Sequence, residues 1–269
     1  NFKDYFQKDK RQLILTFDDG LKDHFTEVLP ILLSKGIPAI FFVPAEAIEN
    51  GVVFHSHKIQ FLLAKISEKE LVEEIFKLLP LCYEKFRLKH LSREELWNKY
   101  SFDGRAGGTW SKEAIFTTRL LREHKFYSFR DWILSKLFKE IVSSNEKKFA
   151  SSLYLNYEDL RKLVLSNMTI GGHGFYSINA KFESLDIQEI EVNKSYEFLS
   201  KKIYNNEKFN FYYSYPNGGY TSFTKQLLNK LDCLGAFTTN RKIFLNESHL
   251  EIPRLDGPHD FSLLFENLV

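Results

Sequence analysis

Two carboxylates stand side by side at Asp18 and Asp19, after the apolar run Gln12-Leu13-Ile14-Leu15-Thr16-Phe17 and before Gly20. A strand of that composition reads as covered on both faces, as in parallel α/β sheets, where functional residues gather at strand ends. Adjacent carboxylates repel, so both stay ionised in a confined site only with a cation or a proton between them. A metal held by one, with the other free as a base, removes the conflict. A helix start is the competing reading, because Asp and Gly are common before helices and Leu21 to Leu33 has helical spacing. Three histidines are candidate metal ligands. His173 follows Gly171-Gly172 and is either a locally satisfied polar residue or a ligand. His55 and His57 lie two apart, so in an extended segment they point the same way and converge on one cation; exposed or capping histidines are the alternative.

The elements that must carry these residues alternate between strand and helix at both ends of the chain. The strand Gln12 to Phe17 leads into a helix over Lys22 to Ser34, Lys35-Gly36-Ile37-Pro38 breaks it, and Ala39 to Val43 is a second buried strand. From about Glu46 to about Met168 helical patterns dominate: Glu68 to Leu79 is amphipathic, Ser92-Arg93-Glu94-Glu95 is a capping-box start, and Ser128 to Val142 is a third helix. Within this stretch Phe102 to Thr109 is polar and Gly-rich, a connector or a substrate loop. Alternation resumes with a helix from Asn156, a strand ending at His173, a helix over Asp186 to Lys202, and an aromatic strand over Asn210 to Tyr215. A helix over Ser222 to Leu231 and strands at Gly235 to Thr239 and Glu251 to Arg254 complete it. The pattern predicts a parallel α/β barrel with a helical insertion at about 46–168.

Thr16-Phe17-Asp18-Asp19-Gly20 resembles the first motif of the polysaccharide deacetylases, the NodB-homology proteins of carbohydrate esterase family 4. Three later segments, Ile170-Gly171-Gly172-His173, Tyr215-Pro216-Asn217-Gly218 and Ile252-Pro253-Arg254, resemble further family motifs in the family's order. The resemblance covers roughly residues 12 to 54 and 150 to 256. It implies an α/β fold of the distorted (β/α)7 barrel kind with a large helical insertion after the second strand, as a single domain over 1–269. It also implies Asp18 as the catalytic base and Asp19 and His173 as ligands of a divalent metal, most simply zinc. The family's second motif is His, three residues, then His, and here the second position is Ser177, a poor zinc ligand. His57 is the preferred replacement, because it directly precedes a helical segment. The aromatic-Pro-x-Gly turn implies Tyr215 at a substrate groove and the Asn217 N–H as oxyanion donor. An Arg that often stands earlier in that motif is missing, and Pro253-Arg254 fits a variant in which Arg254 pairs with Asp18; an ordinary surface salt bridge is the alternative. For the family's general acid the best candidate is His259, whose pKa Asp260 would raise, and His249 is the second choice.

Composition is compatible with such an enzyme. The chain has 269 residues, 43% of them hydrophobic, enough for one substantial core. A formal charge of +2 is too balanced to argue for nucleic acid. Cys82 and Cys233 fit no metal or redox spacing and read as free thiols of a reducing compartment, with a disulfide as the alternative. No stretch approaches a membrane span, and Asn1 to Arg11 is no signal peptide, which favours a cytoplasmic location. The expected activity is metal-dependent removal of an acetyl or formyl group from an N-acylated sugar in surface-glycan assembly. A capping insertion would favour a monosaccharide or sugar nucleotide over a long polymer. The alternative, given Ser177, is a carbohydrate-binding protein that kept the fold and lost the chemistry.

Overall fold

The structure, a computed structural model, describes residues 13–102, 110–121, 127–243, 247–257 and 260. The chain divides into two compact units, one of residues 1–51 with 150–269 and one of residues 52–149. The helical unit is thus narrower than the stretch of about 46–168 read from the sequence. The helices Ala45–Asn50 and Tyr157–Leu165 lie in the first unit.

In the first unit, five strands form one parallel sheet in chain order: β1 (Leu15–Phe17), β2 (Ala39–Val43), β3 (Thr169–Gly172), β4 (Tyr212–Ser214) and β5 (Gly235–Phe237). Registers such as Phe17 opposite Phe41, Val43 opposite Gly172 and Ser214 opposite Phe237 align their carboxyl ends along one edge. Alternation along β2 explains why both its faces are apolar. Ala39, Phe41 and Val43 enter the main core with Ile170, Val192, Tyr213 and Ala236, while Ile40 and Phe42 join a small cluster with Tyr212, Phe237 and Ile252. β1 departs from expectation: it stands at the end of the strand order and all three residues are only half-buried. An apolar run records tolerance of burial, not position in the sheet. The expected strand over Glu251 to Arg254 is reduced to Ile252, which bridges in parallel to Phe237. Five strands and this bridge are what the described residues contribute to the barrel.

The turn after β1 is held by residues 153–159, distant in sequence. Leu155 N–H donates to the Gly20 carbonyl at 2.9 Å, Lys22 N–H donates to the Leu153 carbonyl at 2.8 Å, and the Lys22 ammonium pairs with Asp159. Asp19 and Gly20 both take positive φ, 75° and 59°, and a Cβ at residue 20 would lie 3.1 Å from Val43 Cγ1, so the tight reversal needs glycine there.

The second unit is helical throughout its described secondary structure: His55–Lys65, Glu68–Phe86, Arg93–Tyr100, Lys112–Leu120 and Tyr127–Leu137, the last continued by a π-turn over Phe138–Val142. Its core includes Leu62, Leu71, Ile75, Leu96, Phe116, Ile133 and Phe129. Capping boxes at Ser67/Glu70 and Ser92/Glu95 start two of the helices. The helix from Glu68 runs past the expected end at Leu79 and through Pro80 to Phe86, since Cys82 and Tyr83 continue its buried stripe. Residues 103–109, most of the Gly-rich stretch, lie outside the described residues. Cys82 and Cys233 are free and buried, and burial pushes both thiols up to about 12. Among the described residues no helix is long and apolar enough to cross a membrane.

Candidate active site

The parallel registers bring Asp18, His173 and Ser214 to the same edge of the sheet. Asp18 follows β1, His173 follows β3, and Ser214 ends β4. Arg254, two residues beyond the Ile252 bridge, grips Asp18 with both arms: Nη1 donates to Oδ1 and Nη2 to Oδ2, each at 2.7 Å. Such a fork is the strong form of the Arg–carboxylate pair. The same guanidinium donates to Ser214 Oγ at 3.0 Å, Thr16 Oγ1 at 3.3 Å and the Thr238 carbonyl at 3.2 Å, and it lies 6.0 Å from the Phe42 ring centroid. Thr16 and Asp18, like Tyr212 and Ser214, are two apart, so period-2 alternation puts all four on the face of the small cluster, where Arg254 lies.

Burial alone would push the Asp18 carboxyl up. His173 whenever its ring is protonated, the Arg254 hydrogen bonds and charge, and the Ser214 hydroxyl act against it and hold the carboxyl below its ordinary value. Asp18 is therefore an anion at neutral pH.

His173 is buried, and its Nδ1 lies 2.9 Å from the Ser214 carbonyl. A carbonyl only accepts, so Nδ1 carries the proton, and in the neutral ring Nε2 presents its lone pair. Nε2 lies 3.5 Å from Asp19 Oδ1. A ring nitrogen fixed by a backbone carbonyl, with its partner nitrogen facing a carboxylate, is the arrangement of a metal-binding imidazole. Two ligands about 2.1 Å from one ion at the tetrahedral angle stand roughly 3.4 Å apart, so the pair fits a divalent cation. It supplies two protein donors, and among the described residues no group of three or more His, Cys, Asp and Glu side chains comes together as a metal site.

The expected convergence of His55 and His57 on one cation is not what the chain forms. His55 and His57 lie in a helix, not an extended segment, and helical residues two apart do not share a face. His57 is buried in the helical unit with its ring 4.1 Å from that of Phe54. Ser177 is buried at φ 55°, in a loop braced by Glu191: Tyr176 N–H donates to Glu191 Oε2 at 2.7 Å and Ile178 N–H to Oε1 at 3.0 Å. At Gly174, φ 73°, a Cβ would stand 2.1 Å from Glu191 Oε1, so this loop is built around the carboxylate. Desolvation pushes Glu191 up to about 7, against the three backbone N–H groups that favour its anion.

Tyr215 is a core residue and not part of a groove: it is 1% exposed, donates to the Leu250 carbonyl at 2.9 Å and stacks on Tyr220. The adjacent turn does present Asn217, exposed and at φ 52°. Gly218 and Gly219 N–H groups are spent on the Tyr215 and Pro216 carbonyls, leaving the Asn217 N–H unused by the turn itself. His259 lies outside the described residues. Its neighbour Asp260 is buried and engaged, accepting from Asp256 N–H at 2.7 Å with Arg241 Nε 3.7 Å away. His249 has an exposed side chain, and its carbonyl accepts from Ala236 N–H. Two residues escaped the sequence reading altogether. Ser214 was hidden because its partners lie 196 and 40 residues away, and Glu191 because a charged residue within a helix looks solvated.

Comparison with known proteins bears on this arrangement. A family model described as polysaccharide deacetylase matches residues 6–77. Among solved structures, the Streptococcus pyogenes deacetylase PplD, in complex with acetate, superposes with a TM-score of 0.52 at 15% identity, covering 94% of this chain and 67% of that one. IcaB from Ammonifex degensii gives a TM-score of 0.50 at 13% identity, covering 93% and 70%. The fold is that of the NodB-homology deacetylases. No curated protein matches in sequence. Within that fold, Asp18, Asp19 and His173 stand at the carboxyl edge of the described half-barrel, and Arg254 reaches Asp18 from after the last bridge.

Proposed function

We propose that this protein is a metal-dependent amide hydrolase that removes an acetyl, or a formyl, group from an N-acylated sugar or sugar nucleotide in surface-glycan biosynthesis. The observation that carries the reading is the union of a fork-bound, ionised Asp18 with the facing pair Asp19 and His173 at one sheet edge. Asp19 Oδ1 and His173 Nε2 would hold the cation, with Ser214 fixing the imidazole from behind. When bound, a divalent ion polarises an acyl oxygen and makes a bound water more acidic. Asp18, held ionised by Arg254, takes the proton from the attacking water. The free Asn217 N–H supports charge developing on the acyl oxygen. Release of the amine needs a proton donor, for which His259 remains the proposed source.

A second reading, a sugar-binding protein without turnover, draws on the two-donor site and on Ser177 where an imidazole would stand. Metal analysis and acetate release separate the two. The hydrolase reading expects about one tightly bound zinc per chain, acetate released from an N-acetylated sugar nucleotide or oligomer, and zinc affinity lost in Asp19→Ala but retained in His57→Ala. No bound metal and no acetate after supplementation with zinc, cobalt or manganese would leave the binding module standing.

A further inference from the structure

Ser214 is fully buried at the end of β4, between the proposed base and the proposed ligand, and every polar atom it offers there is used. Its hydroxyl lies 3.0 Å from Arg254 Nη2 and 3.2 Å from Asp18 Oδ2. A guanidinium only donates, so the hydroxyl lone pair must accept from Arg254 and the single hydroxyl proton must point at Asp18. The direction of each bond is thereby fixed. Its carbonyl, on the other side of the same residue, accepts from His173 Nδ1.

The consequence is an asymmetry in the Asp18 carboxylate. Oδ2 receives two donors, Arg254 Nη2 and Ser214 Oγ, which occupy both of its in-plane lone pairs. Oδ1 receives one, Arg254 Nη1, and keeps a lone pair free. We propose that Ser214 is a positioning residue that locks the Asp18 carboxylate so that Oδ1 alone can take a proton, while its carbonyl holds His173 in the tautomer that exposes Nε2. One residue thus sets base and ligand relative to each other. The first half of the proposal acts through the side chain and the second through the main chain, so substitution separates them.

The inference rests on the deacetylase reading, and two measurements keep the failures apart. In steady-state assays of acetate release, Ser214→Ala is expected to lower kcat about 10- to 100-fold with KM within twofold, the pattern of a lost transition-state arrangement. Zinc affinity should stay within twofold, because the carbonyl that holds His173 is retained. Wild-type turnover with kcat unchanged in Ser214→Ala overturns the proposal and leaves the hydrolase reading intact. The second measurement needs no turnover: a double-mutant cycle of Ser214→Ala and Arg254→Gln followed by urea unfolding. Members of one hydrogen-bond network are non-additive, so the double variant is expected to unfold at nearly the midpoint of Arg254→Gln alone. Additive midpoints would overturn the proposal even in a protein without activity.

Discussion

The exposed charge pairs of the helical unit and the part-buried contacts of the sheet edge hold the chain in opposite ways. In the helical unit several pairs are local and wet: Ser67 with Glu70, Ser92 with Glu95 and Lys77 with Glu74 are three residues apart, and Arg93 with Glu73 twenty, while Lys58 with Glu146 is a part-buried, long-range exception. In the α/β unit the decisive contacts join residues 196 and 236 positions apart and are part-buried. A local exposed pair gains a few tenths of a kcal/mol and secures a helix end or face. A long-range buried pair carries a desolvation cost that only good geometry offsets, so it persists where something beyond stability keeps it. That difference marks the sheet edge as the place for chemistry and the helical unit's surface charges as scaffold.

The largest effect expected from this contrast is on turnover. Asp18→Asn removes the proposed base yet leaves Asp19 and His173 in place, so acetate release should fall about 1000-fold or more while bound metal is largely retained. Arg93→Ala, which breaks the exposed pair with Glu73 and its stacking on Phe76 at 4.4 Å, should leave turnover within about twofold, the usual limit for an exposed pair. Comparable acetate release by wild type and Asp18→Asn would remove Asp18 from the mechanism and erase the contrast.

A smaller effect separates the units by pH. Glu191, buried behind the His173 loop, titrates near 7 in the fold instead of near 4.5. An acid whose pKa is raised by folding contributes stability that is complete below its unfolded value and is lost as pH rises through its folded value. Between pH 4.5 and 7 the protein should therefore lose up to about 3 kcal/mol from this group, at about 1.4 kcal/mol per pKa unit. Glu70 of the capping box runs the other way: bonds from Ser67 hold it below its ordinary value, so its contribution is present above that value and fades in acid. Urea unfolding of wild type and Glu191→Gln from pH 4.5 to 7.5 checks this; parallel stability curves would place Glu191 at an ordinary pKa.

Much of this arrangement could be read from the chain, and the parts that could not have physical reasons. Asp18, Asp19 and His173 were legible because parallel strands export functional groups at their carboxyl ends, and those ends show as apolar runs meeting polar turns. Arg254 was legible only through the motif order, since a Pro-Arg pair says nothing of a partner 236 residues earlier. Alternation shows which residues of a strand share a face, but not which face is core: Tyr213 and Tyr215 point into the main cluster while Tyr212 and Ser214 face the other way. That is why Tyr215 was misassigned to a groove. The expectation that His55 and His57 point the same way failed on periodicity, because a period-2 argument was applied to residues that begin a helix. The helical unit was read well in kind, since capping boxes and stripes are local signals, and less well in extent, since its limits depend on which helices pack with the sheet.

The smallest effect tests whether the helical unit's polar residues are scaffold alone. Ser67 accepts from Glu70 N–H at 3.2 Å, and Glu70 returns a bond to Ser67 N–H at 3.0 Å. The helix they start, Glu68–Phe86, brings Leu71, Val72, Ile75, Leu79, Cys82 and Tyr83 into the core, so its first turn anchors much of the unit's apolar surface. Ser67→Ala removes the cap acceptor and leaves the Glu70 N–H to water, which typically costs about 1 kcal/mol. The loss should appear as a lower urea midpoint with an unchanged denaturant slope, because the surface exposed on unfolding is the same. kcat and KM for acetate release should not move. A kcat that falls with Ser67→Ala while the protein stays folded would mean that the helical unit takes part in turnover, and the division between chemistry at the sheet edge and scaffold in the helices would have to be redrawn.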